Sequence, residues 1–258
     1  MITTYHRPQT LDEALTLLTQ PNTFPLGGGT LLSHPTPFDP AQGKPDSVSV
    51  VDLQRLGLNS LRAKGNDLEI GATCTLQSLL ESEHCPAALK VAIKLEAPIN
   101  IRNSATVAGT LVSSDGRSSF ATALLAMDAK ITVVSGQPAL SKVEGSSVIS
   151  VGEFLPLRPR GLITIITIPL NVKFAFEFVS KTPADKPIIA AALSQWNSGR
   201  TRLALGGYGK SPILAMDGTE ADGIESAAKN AYHEANDEWA SAEYRMDVAA
   251  VLAKRCLG

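Results

Sequence analysis

The chain has 258 residues, enough for one large domain or two modest ones, with 44% hydrophobic and 19% charged residues, an ordinary balance for a globular protein. A formal net charge of −2 excludes the strongly basic footprint of a nucleic-acid binder. No apolar run is long enough to span a bilayer, and the stretch from Met1 to Pro8 has no apolar signal-peptide core, so the expected location is the cytoplasm.

In chain order, Leu11 to Leu18 predicts a short helix. Thr10 can accept from its first free N–H groups, Glu13 stands where it would complete a capping box, and Leu11, Ala14, Leu15 and Leu18 share one face. Val48 to Leu53 and Leu68 to Ala72 predict strands. Thr75 is placed to cap a helix holding Leu76, Leu79 and Leu80, and Ala87 to Leu95 predicts another helix. Ile99 to Ser114 reads as irregular. An apolar helix follows around Ala121 to Met127, then strands at Lys130 to Ser135 and Gly161 to Leu170. Beyond Asn171 the runs Phe174 to Val179, Ile188 to Trp196 and Arg202 to Leu205 alternate, with a turn at Asn197-Ser198-Gly199, which predicts an antiparallel meander. Two helices near Glu220–Ala231 and Ser241–Leu257 close the chain. Pro37 to Pro45 and Gln137 to Gly145 read as surface loops with no assigned role.

Cys74, Cys85 and Cys256 form no CxxC pair and read as buried thiols. His6, His34, His84 and His233 stand apart from other ligand types, so no metal motif is visible. Two turns carry the chemistry. Gly27-Gly28-Gly29-Thr30 follows a short extended stretch. Its glycines permit positive φ and close approach, and successive N–H groups can form an anion nest. It matches neither a P-loop nor GxGxxG, and a plain tight turn explains it equally. The second turn, Ser104 to Leu111, extends through Ser113, Ser114, Asp115, Gly116, Ser118 and Ser119. Small residues there allow backbone approach and hydroxyls offer hydrogen bonds; a serine-rich loop over a helix end is the plainer alternative.

Several ordered motifs go further. They are Tyr5 and Pro8 before the first helix, Gly27-Gly28-Gly29-Thr30-Leu31-Leu32, Ile70-Gly71-Ala72-Thr73-Cys74-Thr75, and Ile101 to Leu111, which reads IRNSATVAGTL. Ala123 to Ala129 follows, then Thr182 to Asp185 with Ile188 to Ala192, Arg202 to Gly209, and Ser241 to Arg245 with Val251-Leu252. In that order the chain resembles, nearly end to end, the FAD-binding medium subunit of molybdenum hydroxylases of the xanthine dehydrogenase and carbon monoxide dehydrogenase type. The most specific stretch resembles that family's IRN-x-(A/G)-T-(I/V)-G-G-(N/S)-L pattern.

The resemblance implies an α+β chain. A two-subdomain FAD-binding fold of the vanillyl-alcohol-oxidase-like type would span 1–170, divided into 1–57 and 58–170. An antiparallel sheet with helices would follow over 171–258. It implies an oxidoreductase component that transfers electrons. They would come from a small iron–sulfur subunit with [2Fe–2S] clusters, fed by a large molybdenum-cofactor subunit, and would leave to NAD, a quinone or oxygen. Carried over residue by residue, Gly27, Gly28, Gly29 and Thr30, flanked by Leu26 and Leu31, would hold the FAD pyrophosphate. Thr106, Ala108, Gly109 and Thr110 would line the second loop, with Ser114, Asp115 and Ser119 beyond it. Lys181 occupies a position where a basic residue near the flavin is common. Ala108 replaces the first glycine of the usual pair, and Ser119 stands where many members have a second Asp. Two alternatives stay open: a stand-alone FAD-dependent oxidoreductase, although no acid–base dyad or covalent flavin attachment point is visible, and a scaffold subunit that has lost FAD, for which Ala108 and Ser119 are the support.

Overall fold

A computed structural model describes residues 2–30, 48–135, 145–183 and 185–258. The two predicted surface loops, apart from Gly145, and Leu31 fall outside those residues. Three sheets follow one another along the chain. The first unit comprises β1 (Ile2–His6), α1 (Leu11–Leu18), β2 (Thr23–Leu26) and β3 (Val48–Asp52). Its strands are parallel in the order β1-β3-β2. Val48, Val50 and Val51 of the central strand are buried, as an apolar run covered on both faces should be. Thr10 caps α1 by accepting from Glu13 N. The expected capping box is corrected: Glu13 Oε2 accepts from the N–H of Gln9, one residue before the cap, because that amide is the one turned toward the carboxylate.

The middle unit holds β4 (Leu61–Lys64), β5 (Asp67–Gly71), α2 (Leu76–Glu81), α3 (Ala87–Glu96), α4 (Ile99–Arg102), α5 (Val107–Val112) and α6 (Ser119–Ala126). It continues with β6 (Lys130–Val134), β7 (Ser146–Ser150), α7 (Val151–Leu157) and β8 (Leu162–Pro169). The strands pair antiparallel in the order β4-β5-β8-β6-β7. The β-branched run of β8 suits its central place. The irregular reading of Ile99 to Ser114 is corrected, since α4 and α5 lie there. Helices of one or two turns are too short to display a 3.6-residue period, and only their caps, Pro98 and Thr106, mark them. A closed capping box occurs instead at Ser150 and Glu153, which start α7.

The last unit is the expected meander, β9 (Val172–Val179), β10 (Ile189–Trp196), β11 (Thr201–Gly206) and β12 (Ile213–Gly218), followed by α8 (Ile224–Ala231) and α9 (Ala242–Leu257). Alternation divides its sheet between two cores. Ala191, Leu193, Leu203 and Leu205 pack with Ala228, Leu252 and Ala253 of the terminal helices. Ala190, Ala192, Ala204 and Phe176 instead join the core formed by the middle unit. Between them lies α6, every residue of which is buried, packed against α3, β10 and β11. A largely apolar helix with Thr122 bonded back to Ser118 O belongs in such an interior. The architecture is α+β. No helix among the described residues is long and apolar enough to cross a membrane.

Candidate functional site

Three backbone segments converge beside the first parallel sheet. Where β2 ends, Leu26 O accepts from Leu53 N at 3.1 Å and Gly27 O from Gln54 Nε2 at 2.9 Å. The chain then turns, with Gly29 at φ 70°, a left-handed conformation that glycine adopts without a Cβ penalty. The second segment is the start of α5. Thr106 Oγ1 accepts from Gly109 N at 3.2 Å, which fixes both the cap and the first turn. The third is residues 72–76, locked to α5 by Val107 N to Cys74 O at 2.9 Å, Ala108 N to Ala72 O at 3.3 Å and Leu76 N to Ala105 O at 2.9 Å.

The first two segments touch because Gly28 has no side chain. A Cβ there would lie 1.7 Å from the carbonyl oxygen of Ser104, a distance no contact permits. The space left between the segments is a cleft of about 320 Å³. Gly27, Gly28, Gly29 and Thr30 line one wall, and Thr106, Ala108 and Gly109 another. The sequence reading therefore named seven residues that the fold brings together across one space. It missed Thr73 and the apolar walls from Phe24, Leu53, Leu162 and Ile163.

Among the described lining residues none is charged, so the cleft must bind through neutral donors. Among the described residues, the backbone N–H groups of Gly27, Gly28 and Thr30 donate to no protein acceptor. Thr73 Oγ1 is buried without a partner. Donors without acceptors, a cradle that a Cβ would fill, and no carboxylate to repel an anion fit the pyrophosphate of a dinucleotide. Ala108 has an ordinary right-handed helical backbone, absent from the positive-φ residues, so its methyl group causes no strain.

The other named positions do not line the cleft. Leu26 and Thr110 belong to its supporting elements, β2 and α5. Ser114 donates to Leu111 O at 2.7 Å, and its own carbonyl accepts from Arg158 Nη2 at 2.6 Å. Arg158 also donates to Val112 O, so its guanidinium ties off the C-terminal carbonyls of α5. Asp115 accepts from Arg117 N at 3.0 Å and lies 3.4 Å from Lys186 Nζ. Lys181 lies over the Trp239 ring with Nζ 4.6 Å from the centroid, alongside the Arg117 guanidinium at 4.4 Å. Ser119 is buried in the first turn of α6 with its hydroxyl unpartnered. Beside it Glu96, from α3, accepts from Ser118 Oγ at 2.8 Å and Phe120 N at 2.9 Å. Burial pushes its carboxyl above the ordinary carboxylate range, against those hydrogen bonds and the pull of Lys186. The Asp115 loop is itself tied to the last sheet. Gly116 N donates to Gly209 O at 3.0 Å, Gly207 N donates to Gly116 O at 2.7 Å, and a Cβ on Gly116 would lie 1.9 Å from Tyr208 O.

Burial also pushes the thiols up, Cys74 and Cys85 to about 11 and Cys256 to about 12. They are therefore protonated and unreactive near neutrality. Among the described residues no cluster of three or more His, Cys, Asp or Glu could hold a metal ion.

A neutral cleft closed by two glycine-bearing turns, on an α+β frame, suits a ligand that carries a pyrophosphate. The chain belongs to the family described as the FAD binding domain in molybdopterin dehydrogenase, which matches residues 1–171. It is 26% identical to the carbon monoxide dehydrogenase medium chain of Afipia carboxidovorans over 284 residues, 98% of this chain and 94% of that one. It is 25% identical to the glyceraldehyde dehydrogenase medium chain of Sulfolobus acidocaldarius over 279 residues, 97% and 95% of the two chains. The solved structure of a cyanide-inactivated Cu,Mo-CO dehydrogenase matches with a TM-score of 0.78 at 24% identity, covering 100% of this chain and 96% of that one. The cofactor is FAD, and the chain is an oxidoreductase component of the molybdenum hydroxylase medium-subunit type.

Proposed function

We propose that this chain is the electron-exit subunit of a three-subunit molybdenum hydroxylase in the cytoplasm. Electrons would reach it from the [2Fe–2S] clusters of a small subunit, themselves supplied by a molybdenum-cofactor subunit, and leave to NAD, a quinone or oxygen. The observation that carries this reading is the cleft. It is built to hold a dinucleotide, yet among its described lining residues there is no acid, base or metal ligand with which to process a substrate. Bound FAD supplies a redox centre able to exchange both single electrons and electron pairs. The protein's part is to hold it. Gly27, Gly28, Gly29 and Thr30 would donate to the pyrophosphate from one wall. Thr106 and Gly109 would bound it on the other, and Phe24, Leu53, Leu162 and Ile163 would exclude water from its apolar portion. In this reading residues 1–170 form the FAD-binding domain, with 1–57 and 58–170 as its two halves, and 171–258 the C-terminal domain. Asp115, Ser119 and Lys181 would act from outside the cleft. The test is affinity purification of the tagged chain co-expressed with its neighbouring genes. Three polypeptides containing iron, molybdenum and FAD are expected. A chain that purifies alone and itself oxidises an organic substrate at an ordinary enzymatic rate would sink the proposal.

A further inference from the structure

Gln54 is absent from the cleft lining, yet its amide hydrogen-bonds the backbone of the first glycine turn, Nε2 to Gly27 O at 2.9 Å. In a trans peptide the carbonyl and the following N–H point in opposite directions, and the described chain has no cis bond. Holding the Gly27 carbonyl toward Gln54 therefore turns the Gly28 N–H away from Gln54. Gly28 lines the cleft, and that N–H meets no acceptor among the described residues. Glycine on both sides of this peptide leaves its plane free to rotate unless something outside holds it.

Gln54 is itself held. Its N–H donates to Asp52 Oδ1 at 2.9 Å. The other oxygen of that buried carboxylate accepts from Tyr5 OH at 2.6 Å and lies 3.3 Å from Arg7 Nε. We infer that Gln54 is a positioning residue for FAD, acting through the Gly27–Gly28 peptide to aim the Gly28 N–H at the pyrophosphate, with Asp52 and Tyr5 as its anchor. This rests on the pyrophosphate lying against that turn.

The test is titration of the flavin-stripped full chain with FAD, followed by quenching of flavin fluorescence at high salt, which screens added charge. Gln54→Met keeps the length and removes the donor. Its affinity is expected to fall about tenfold, the scale of one charge-assisted hydrogen bond, and the phosphorus resonances of bound FAD should shift. Gln54→Lys, which returns an N–H donor, should recover most of the loss. Q54M binding as tightly as the parent, with unshifted resonances, overturns the inference. A loss that Q54K does not repair also overturns it. Gly29→Val separates the two levels of argument. If it abolishes binding while Q54M changes nothing, the cofactor lies where proposed and only the role of Gln54 fails. If neither variant alters affinity, the placement is wrong and the inference falls with it.

Discussion

In the cleft, the N–H groups of Gly27, Gly28 and Thr30 and the hydroxyl of Thr73 have no partner among the described residues. In the C-terminal unit, Arg245 is fully buried and donates to Ala235 O, Ala240 O, Gly207 O and both oxygens of Asp237, leaving only Nε idle. Arg202 is treated similarly by Asp217, Asp128 and Leu125 O. These two guanidinium groups close on nearby acceptors and hold that unit's helices and turns in place, while the Ser180 and Ser194 hydroxyls there stay buried without a partner among the described residues. The polar groups of the cleft face a space. Several idle donors around one cavity, the Thr73 hydroxyl among them buried, leave hydrogen bonds open for a ligand to complete.

Substitutions can break this contrast. Gly28→Val is expected to have the largest effect, because its Cβ would run into the Ser104 backbone, which cannot swing aside. Flavin should be lost and stability should fall by about 3 kcal/mol, the upper end for overpacking. Flavin content and denaturant unfolding on the same samples check this; flavin loss at unchanged stability would show that the turns do not need to touch. Arg245→Ala should destabilise by a similar amount, about 3 kcal/mol, since its acceptors lose their donor together. FAD affinity of the folded fraction should remain within about twofold. A large affinity loss there would mean that the two regions are not independent.

Gly109→Ala should do the reverse. Its Cβ would meet only the Thr106 hydroxyl, at 2.8 Å, while alanine favours a helix over glycine by about 1 kcal/mol. Unfolding should shift little, since the helix gain is offset by the disturbed Thr106 cap, while FAD binding weakens about tenfold as the hydroxyl is displaced at the cleft wall. The smallest expected effect concerns Glu96. Its folded pKa is raised by burial, so its contribution to stability is fully present below the ordinary carboxylate value and lost as pH rises through the folded value. Glu96→Gln keeps an acceptor for Phe120 N and removes the titration. As pH rises from about 4, near the ordinary glutamate value, its thermal midpoint should fall less than that of the parent. Equal falls in the two proteins would show that Glu96 is not the group responsible.

The sequence displays best what depends on residue identity or on long periods. The apolar run of α6, the β-branched run of β8 and the alternation of β9 to β11 are visible as patterns. The two turns are visible as glycines and hydroxyls. Hidden features depend on contacts between distant segments. Thr73 matters because residues 72–76 pair with 105–108, and Gln54 because its amide crosses to residue 27. Thr73 stands in the Ile70–Thr75 motif with no role marked for it, and Gln54 leaves no local mark. Lys181 came from family position alone and lies over Trp239, and Asp115, visible as an extension of the second turn, faces Lys186.

The tie between Gly116 and the 207–209 turn bears on how such chains can diversify. The matched family segment stops at residue 171, which invites treating it as a cassette to be exchanged between relatives. Yet the 116 loop fits only a turn of one particular backbone shape, and Phe176, Ala190, Ala192 and Ala204 fill the core beneath it. A recombinant joining the first part of one relative to the last part of another inherits half of this joint from each parent. Shuffling libraries should therefore recover folded progeny chiefly when residues 116 and 207–209 share an ancestor, whatever the crossover point.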